Sequence, residues 1–148
     1  MKYSQVLAHV QKIGHFGSAE DAEKAVLAVS FALAVRVGRE IAKKMASQMP
    51  KEIASAMSSA SGHETFGLQE FFNRVAEKMS ATSSGRVSPA EAMHHAEAAL
   101  AVLQDAMPTE VLEAVFSGLD AEYRKFLDAS AVLGKREGLS LQKAAFRL

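Results

Sequence analysis

The feature that most constrains this chain is an apolar pattern that returns 70 residues later. Val29, Leu33 and Val37 recur as Ala99, Leu103 and Met107. Ile41, Met45 and Met49 recur as Val111, Val115 and Leu119, and Ile53, Ala56 and Met57 as Tyr123, Phe126 and Leu127. Spacings of three and four place each set on one face of an α-helix. Only seven of forty positions are identical between residues 18–57 and 88–127, so the weight rests on phase. The apolar phase stays locked across three helix boundaries, which a repeat explains most economically. Upstream, Tyr3, Val6, Leu7 and Val10 match Leu68, Phe71, Phe72 and Val75 at an offset of 65, and a longer polar loop at 81–87 (ATSSGRV) absorbs the difference of five.

Local signals fall at the same places in both copies. Ser18 precedes Ala19-Glu20-Asp21, and Ser88 precedes Pro89-Ala90-Glu91. Each reads as an N-cap followed by first-turn acids, and Ser88 with Glu91 has the spacing of a capping box. Gly14 and Gly38 read as helix stops, and Pro50 as the first residue of a short helix through Ile53 and Met57. Residues 58–65 (SSASGHET) read as the linker between copies. The expected fold is all-α: two tandem copies of a roughly four-helix motif, residues 1–58 and 66–127, packed as one compact helical domain. An extension, 128–148, follows. In it Leu141, Ala145 and Leu148 lie at i, i+4 and i+7 with Phe146 beside them. Gly134 and Gly138 bracket a charged hinge, Lys135-Arg136-Glu137, before this short amphipathic helix. A helix of ten residues is marginal alone in water, so Leu141, Ala145, Phe146 and Leu148 form a candidate interaction face.

Composition excludes several function classes. The chain has no cysteine, which removes disulfides, thiolate metal sites and cysteine nucleophiles. Met1-Lys2-Tyr3-Ser4-Gln5 lacks a signal peptide's apolar stretch. The longest uncharged apolar run, Ala25 to Val35, is far short of the roughly 20 residues of a membrane span. A cytoplasmic protein without a membrane span is the expectation. Formal net charge is zero over the 148 residues, so the basic excess that drives nucleic-acid binding is lacking. Locally, residues 1–65 carry eight Lys/Arg against six Asp/Glu, residues 66–127 five against nine, and residues 128–148 four against two.

Candidate chemistry is sparse. Glu91 and His94 have the Glu-x-x-His spacing of di-iron bundles, because residues three apart share a helical face. A second such pair is missing from the sequence, and Glu91 already suits the cap. No Gly-x-Ser-x-Gly elbow or glycine-rich phosphate loop occurs. Arg36, Arg39, Lys43 and Lys44 suggest a basic stripe for phosphates or anionic surfaces. Glu40, four residues from both Arg36 and Lys44, fits an ordinary solvated face better. Met45, Met49, Met57 and Met107 keep core phase and read as gap-fillers.

Two stretches carry a family resemblance. Glu70 to Ala76 reads EFF-x-RVA, and QMPKEI and GLDAEYRKFL close the two copies. Together they resemble the bacterial family called domain of unknown function 2267, whose members carry EFL-x-RVA and QLP-x-E in each of two halves. The resemblance spans nearly residues 3–127. It departs at Asp120, where proline is typical, at Met49 in place of leucine, and in the tail after Leu127. It implies an all-helical tandem fold and supplies no catalytic residues. The expected function is therefore a non-enzymatic helical module without a cofactor, whose partner is another protein or a second copy of itself. Binding of an anionic polymer or surface is the alternative, and metal binding at Glu91 and His94 the weakest.

Overall fold

The computed structural model describes residues 2–60, 62–82 and 85–138. Among them the chain forms eight helices: α1 (Tyr3–Gly14), α2 (Ala19–Val37), α3 (Arg39–Ala46), α4 (Lys51–Ser59), α5 (Leu68–Thr82), α6 (Pro89–Asp105), α7 (Thr109–Ser117) and α8 (Ala121–Arg136). Helices α2 and α6, α3 and α7, and α4 and α8 each begin 70 residues apart.

The caps account for these starts. Ser18 Oγ accepts from the Asp21 amide at 3.1 Å, and Ser88 Oγ from the Glu91 amide at 3.1 Å. Glu91 Oε1 completes the box by accepting from the Ser88 amide at 3.2 Å. Each bond satisfies an amide that the first helical turn leaves without an intrahelical partner. Pro50 differs from its expected place. Its ψ of 154° is extended, so it sits just before α4 rather than within it, as Pro108 does before α7. At the matching position before α8, Asp120 caps through its side chain, accepting from the Tyr123 amide at 3.3 Å.

Helices α2 and α6 form the centre, buried on most of their faces. Helix α1 packs on α2 and also on α6, while α5 packs on α6 and also on α2. Helix α4 lies on α2, α8 lies on α6, and α3 meets α7. Each half thus lends its first helix to the other half's central helix, and the core is not divided between them. The approach of α1 to α6 is close: a Cβ on Gly14 would stand 3.1 Å from Ala98 Cβ and 2.4 Å from the Phe16 ring. Aromatic rings from α5 and α8 pack together as well. Phe71 meets Tyr123 edge-on at 5.8 Å, and Phe72 meets Phe126 at 5.0 Å. Such edge-to-face pairs contribute about 0.5–1.5 kcal/mol each beyond the area they bury.

Three boundaries move from their expected places. Helix α4 runs to Ser59 and α5 to Thr82, each into a segment expected to be loop. Helix α8 continues well past Leu127, so Gly134, Lys135 and Arg136 belong to its last turns rather than to a hinge. Packing explains the extension: Leu127, Ser130 and Gly134 are buried at i, i+3 and i+7. Lys135 and Arg136 in the final turn also suit the negative end of the helix dipole. Leu141, Ala145, Phe146 and Leu148 lie outside the described residues. None of the described helices is long and apolar enough to cross a membrane.

Candidate functional site

Of the four cations in the expected basic stripe, Arg36 has to be removed. Its side chain is buried, 5% exposed, in the last turn of α2. Nε donates to the Phe66 carbonyl at 2.9 Å and Nη1 to the Gly118 carbonyl at 3.1 Å. Nη2 lies 3.8 Å from Asp120 Oδ2, and the guanidinium stands 4.9 Å from the centre of the Tyr123 ring. Tyr123 Oη donates into the same linker, with the Phe66 and Gly67 carbonyls at 2.9 and 3.1 Å. Burial pushes this phenol's pKa above its ordinary value. The stripe fails for a geometric reason. Gly38, at φ 92° and ψ 165°, ends α2, so the i, i+3, i+7 spacing of Arg36, Arg39 and Lys43 does not lie on one helix. Arg39, Lys43 and Lys44 remain exposed on α3. A hollow of about 170 Å³ between Arg39, Lys43 and Ser58 adjoins the end of α4. The carbonyls at a helix C-terminus themselves attract cations.

Glu91 and His94 are both exposed, and Glu91 is engaged in the Ser88 cap. Those cap bonds hold its carboxyl below the usual carboxylate range. Among the described residues no group of three or more His, Asp or Glu is placed to hold a metal. The neighbouring His95 is the more unusual histidine. It packs against Phe16 with ring centres 4.7 Å apart, and its Nδ1 is buried without a protein hydrogen-bond partner. It lines a hollow of about 260 Å³ shared with His15, Asp21, Lys24 and Met79. Burial, and secondarily the charge of His94, push its pKa below the ordinary histidine value, against the pull of Glu91 and Asp21. Adjacent histidines in sequence gave no sign of which one turns inward.

A groove of about 520 Å³ lies between α2 and α5. Phe31, Ala32 and Val35 form its apolar side, and Glu70, Arg74, Glu77 and Lys78 its charged side. Arg74 is fixed. It makes a two-pronged contact with Glu64 at 3.1 and 3.2 Å and donates through Nε to Glu70 at 3.0 Å, lying over the Phe66 ring at 4.0 Å. The hydrogen bonds from Arg74, and after them its charge, hold the Glu64 carboxyl below its ordinary range. Lys78 places its ammonium 3.7 Å from the centre of the Phe31 ring. The only hint of this groove in the sequence is Phe31, the one aromatic in the run from Ala25 to Val35.

No curated protein and no solved structure matches the chain. The family model for an uncharacterized conserved protein, DUF2267, matches residues 3–126, which takes in all of α1 through α7 and the start of α8. The chain belongs to the DUF2267 family.

Proposed function

We propose that this chain is a non-enzymatic binding module of the cytoplasm, built from two related helical halves, and that its ligand is a segment of another protein held in the α2–α5 groove. The observation that carries this reading is the make-up of the groove: an apolar strip of Phe31, Ala32 and Val35 beside residues of both charge signs. An apolar centre with a polar rim is the arrangement at which protein surfaces meet. Two of the side chains with chemical potential elsewhere have structural partners: Glu91 holds a cap and Arg36 holds two main-chain carbonyls. The test is capture from the native cell with wild-type protein and with Phe31→Glu. The reading predicts a protein retained by wild type and lost with the variant, while both show the same helical content. Retention of the same proteins by both would count against the groove. Light scattering over a range of concentrations identifies the case in which the ligand is a second copy of the chain.

A second reading, binding of an anionic polymer, rests on Arg39, Lys43 and Lys44, which stay exposed together on α3. Steeply salt-dependent retention on heparin, abolished by Lys43→Glu with Lys44→Glu, would favour it.

A further inference from the structure

The charges on the rim of the α2–α5 groove are unevenly satisfied. Both cations are committed within the chain. Each guanidinium nitrogen of Arg74 donates to a carboxylate: Nε to Glu70 at 3.0 Å, and Nη1 and Nη2 to the two oxygens of Glu64 at 3.2 and 3.1 Å. Lys78 holds its ammonium over the Phe31 ring at 3.7 Å. The acids are in surplus. Glu77 is exposed, and among the described residues its carboxylate has no hydrogen bond or ion pair. Counting Glu64 as the partner of Arg74, three carboxylates stand here against two bases. The unused valence of the groove is therefore acidic.

We propose that the segment held in this groove is a basic amphipathic helix of a foreign protein, with a lysine or arginine that meets Glu77 beside an apolar stripe. The proposal rests on the reading of the groove as a protein-binding surface and adds the shape and charge of the partner. Glu70, Arg74, Glu77 and Ala81 follow at i, i+4, i+7 and i+11 on α5. At 1.5 Å per residue that wall is about 16 Å long, room for three turns of a helix laid alongside. The facing strip of Phe31, Ala32 and Val35 takes apolar side chains at i, i+3 or i+4, and i+7, the usual anchors of a helix in a groove. An acidic partner meets no free cation, since Arg74 is held by two carboxylates and Lys78 by a ring. A basic partner breaks none of these contacts and finds Glu77 unpaired. A rim pair of this kind adds little affinity by itself, but it rejects partners of the wrong sign.

The test is selection of random displayed peptides of roughly 14 residues, four turns of helix, on the full-length protein. Counter-selection on Phe31→Ala, which removes the ring and leaves the rim charge unchanged, keeps the peptides that depend on the groove. That pool is expected to be net positive, with apolar residues at helical spacing. By fluorescence anisotropy its leading peptide should bind Glu77→Lys about five- to tenfold more weakly than wild type. Selection repeated on Glu77→Lys should turn the pool towards acids. Circular dichroism checks that both variants keep the wild-type helix content. A pool that depends on Phe31 but is acidic or uncharged overturns the basic partner and leaves the groove a protein site. Peptides that bind Phe31→Ala as well as wild type, or no enrichment at all, overturn the groove and the partner together. Light scattering in which wild type doubles in mass and Glu77→Lys does not would make the occupant a second copy, and overturns a foreign one.

Discussion

Arg36 and Gly118, 82 positions apart in sequence, are joined by a hydrogen bond of 3.1 Å from the guanidinium Nη1 to the main-chain carbonyl. The bond ties the end of α2 to the turn before α8, and the bond from Nε to Phe66 ties it to the connection between halves. Ala106 occupies the position matched to Arg36 at the offset of 70. The tie at the end of α2 therefore has no counterpart at the end of α6.

Arg36→Ala removes two charge-assisted bonds and takes the side-chain donor from the Gly118 carbonyl, while Phe66 keeps Tyr123 Oη. The expected loss is about 2–4 kcal/mol of stability, read as a lower urea midpoint with unchanged slope. Arg36→Lys keeps the charge but loses the fork that reaches both carbonyls, and should fall between wild type and alanine. Wild-type stability in the alanine variant would show that the clamp is energetically idle.

Gly38 separates α2 from α3 in a region of backbone space that only glycine enters readily, at φ 92° and ψ 165°. A Cβ there would also meet the His63 imidazole at 3.1 Å. Gly38→Ala is expected to cost about 1–3 kcal/mol. Gly62→Ala, at φ 80° with open space around it, meets backbone strain without the crowding and should cost less. Thermal melts of the two variants compare the two effects directly.

How much of this was legible from sequence depends on how local the cause is. The Ser18 and Ser88 caps, and the starts of the helices after them, follow from residues within one turn, so their pattern could be read off directly. The Arg36 site could not. Its neighbours in sequence, Arg39 and Glu40, lie beyond the Gly38 break, while its partners, Phe66 and Gly118, are 30 and 82 positions away. One signal did exist: a charged residue set between Val35 and Val37 at the end of an uncharged, mostly apolar run has to find buried acceptors. The length of α8 was missed for a similar reason. Gly134 looked like punctuation, whereas it lies buried in the helix where a groove is lined by backbone. The α2–α5 groove combines Phe31 with Arg74 and Lys78 from the other half, and periodicity within either helix says nothing about that pairing.

Ser88→Ala should cost about 1 kcal/mol, the usual value of a helix N-cap. His94→Ala, at an exposed position, should stay within about 0.5 kcal/mol. Chemical unfolding of both variants, with metal analysis of the purified protein, checks this pair. A large loss in His94→Ala accompanied by stoichiometric iron or zinc would reinstate the metal reading.

His95 makes stability depend on pH. Its folded pKa lies below the ordinary histidine value, so the unfolded chain takes up the proton first as pH falls. Stability is therefore complete above about pH 6.5, and declines below it until the folded imidazole is protonated as well. His95→Gln should flatten this part of the profile below about pH 6.5. Glu91 and Asp21 face the ring and moderate the effect, while His94 adds to it. Parallel profiles for wild type and variant would assign the decline to other groups.

Residues 1–65 and those that follow share one core, with α1 resting on α6 and α5 on α2. Producing residues 1–65 and 66–148 as separate chains, and following helicity by circular dichroism alone and after mixing, tests it most directly. Each half alone lacks the helix that the other lends, so weak helicity and a broad, non-cooperative melt are expected. The equimolar mixture should recover helicity and melt cooperatively as a one-to-one complex. Either half folding alone with a sharp transition, and gaining nothing on mixing, would contradict the account.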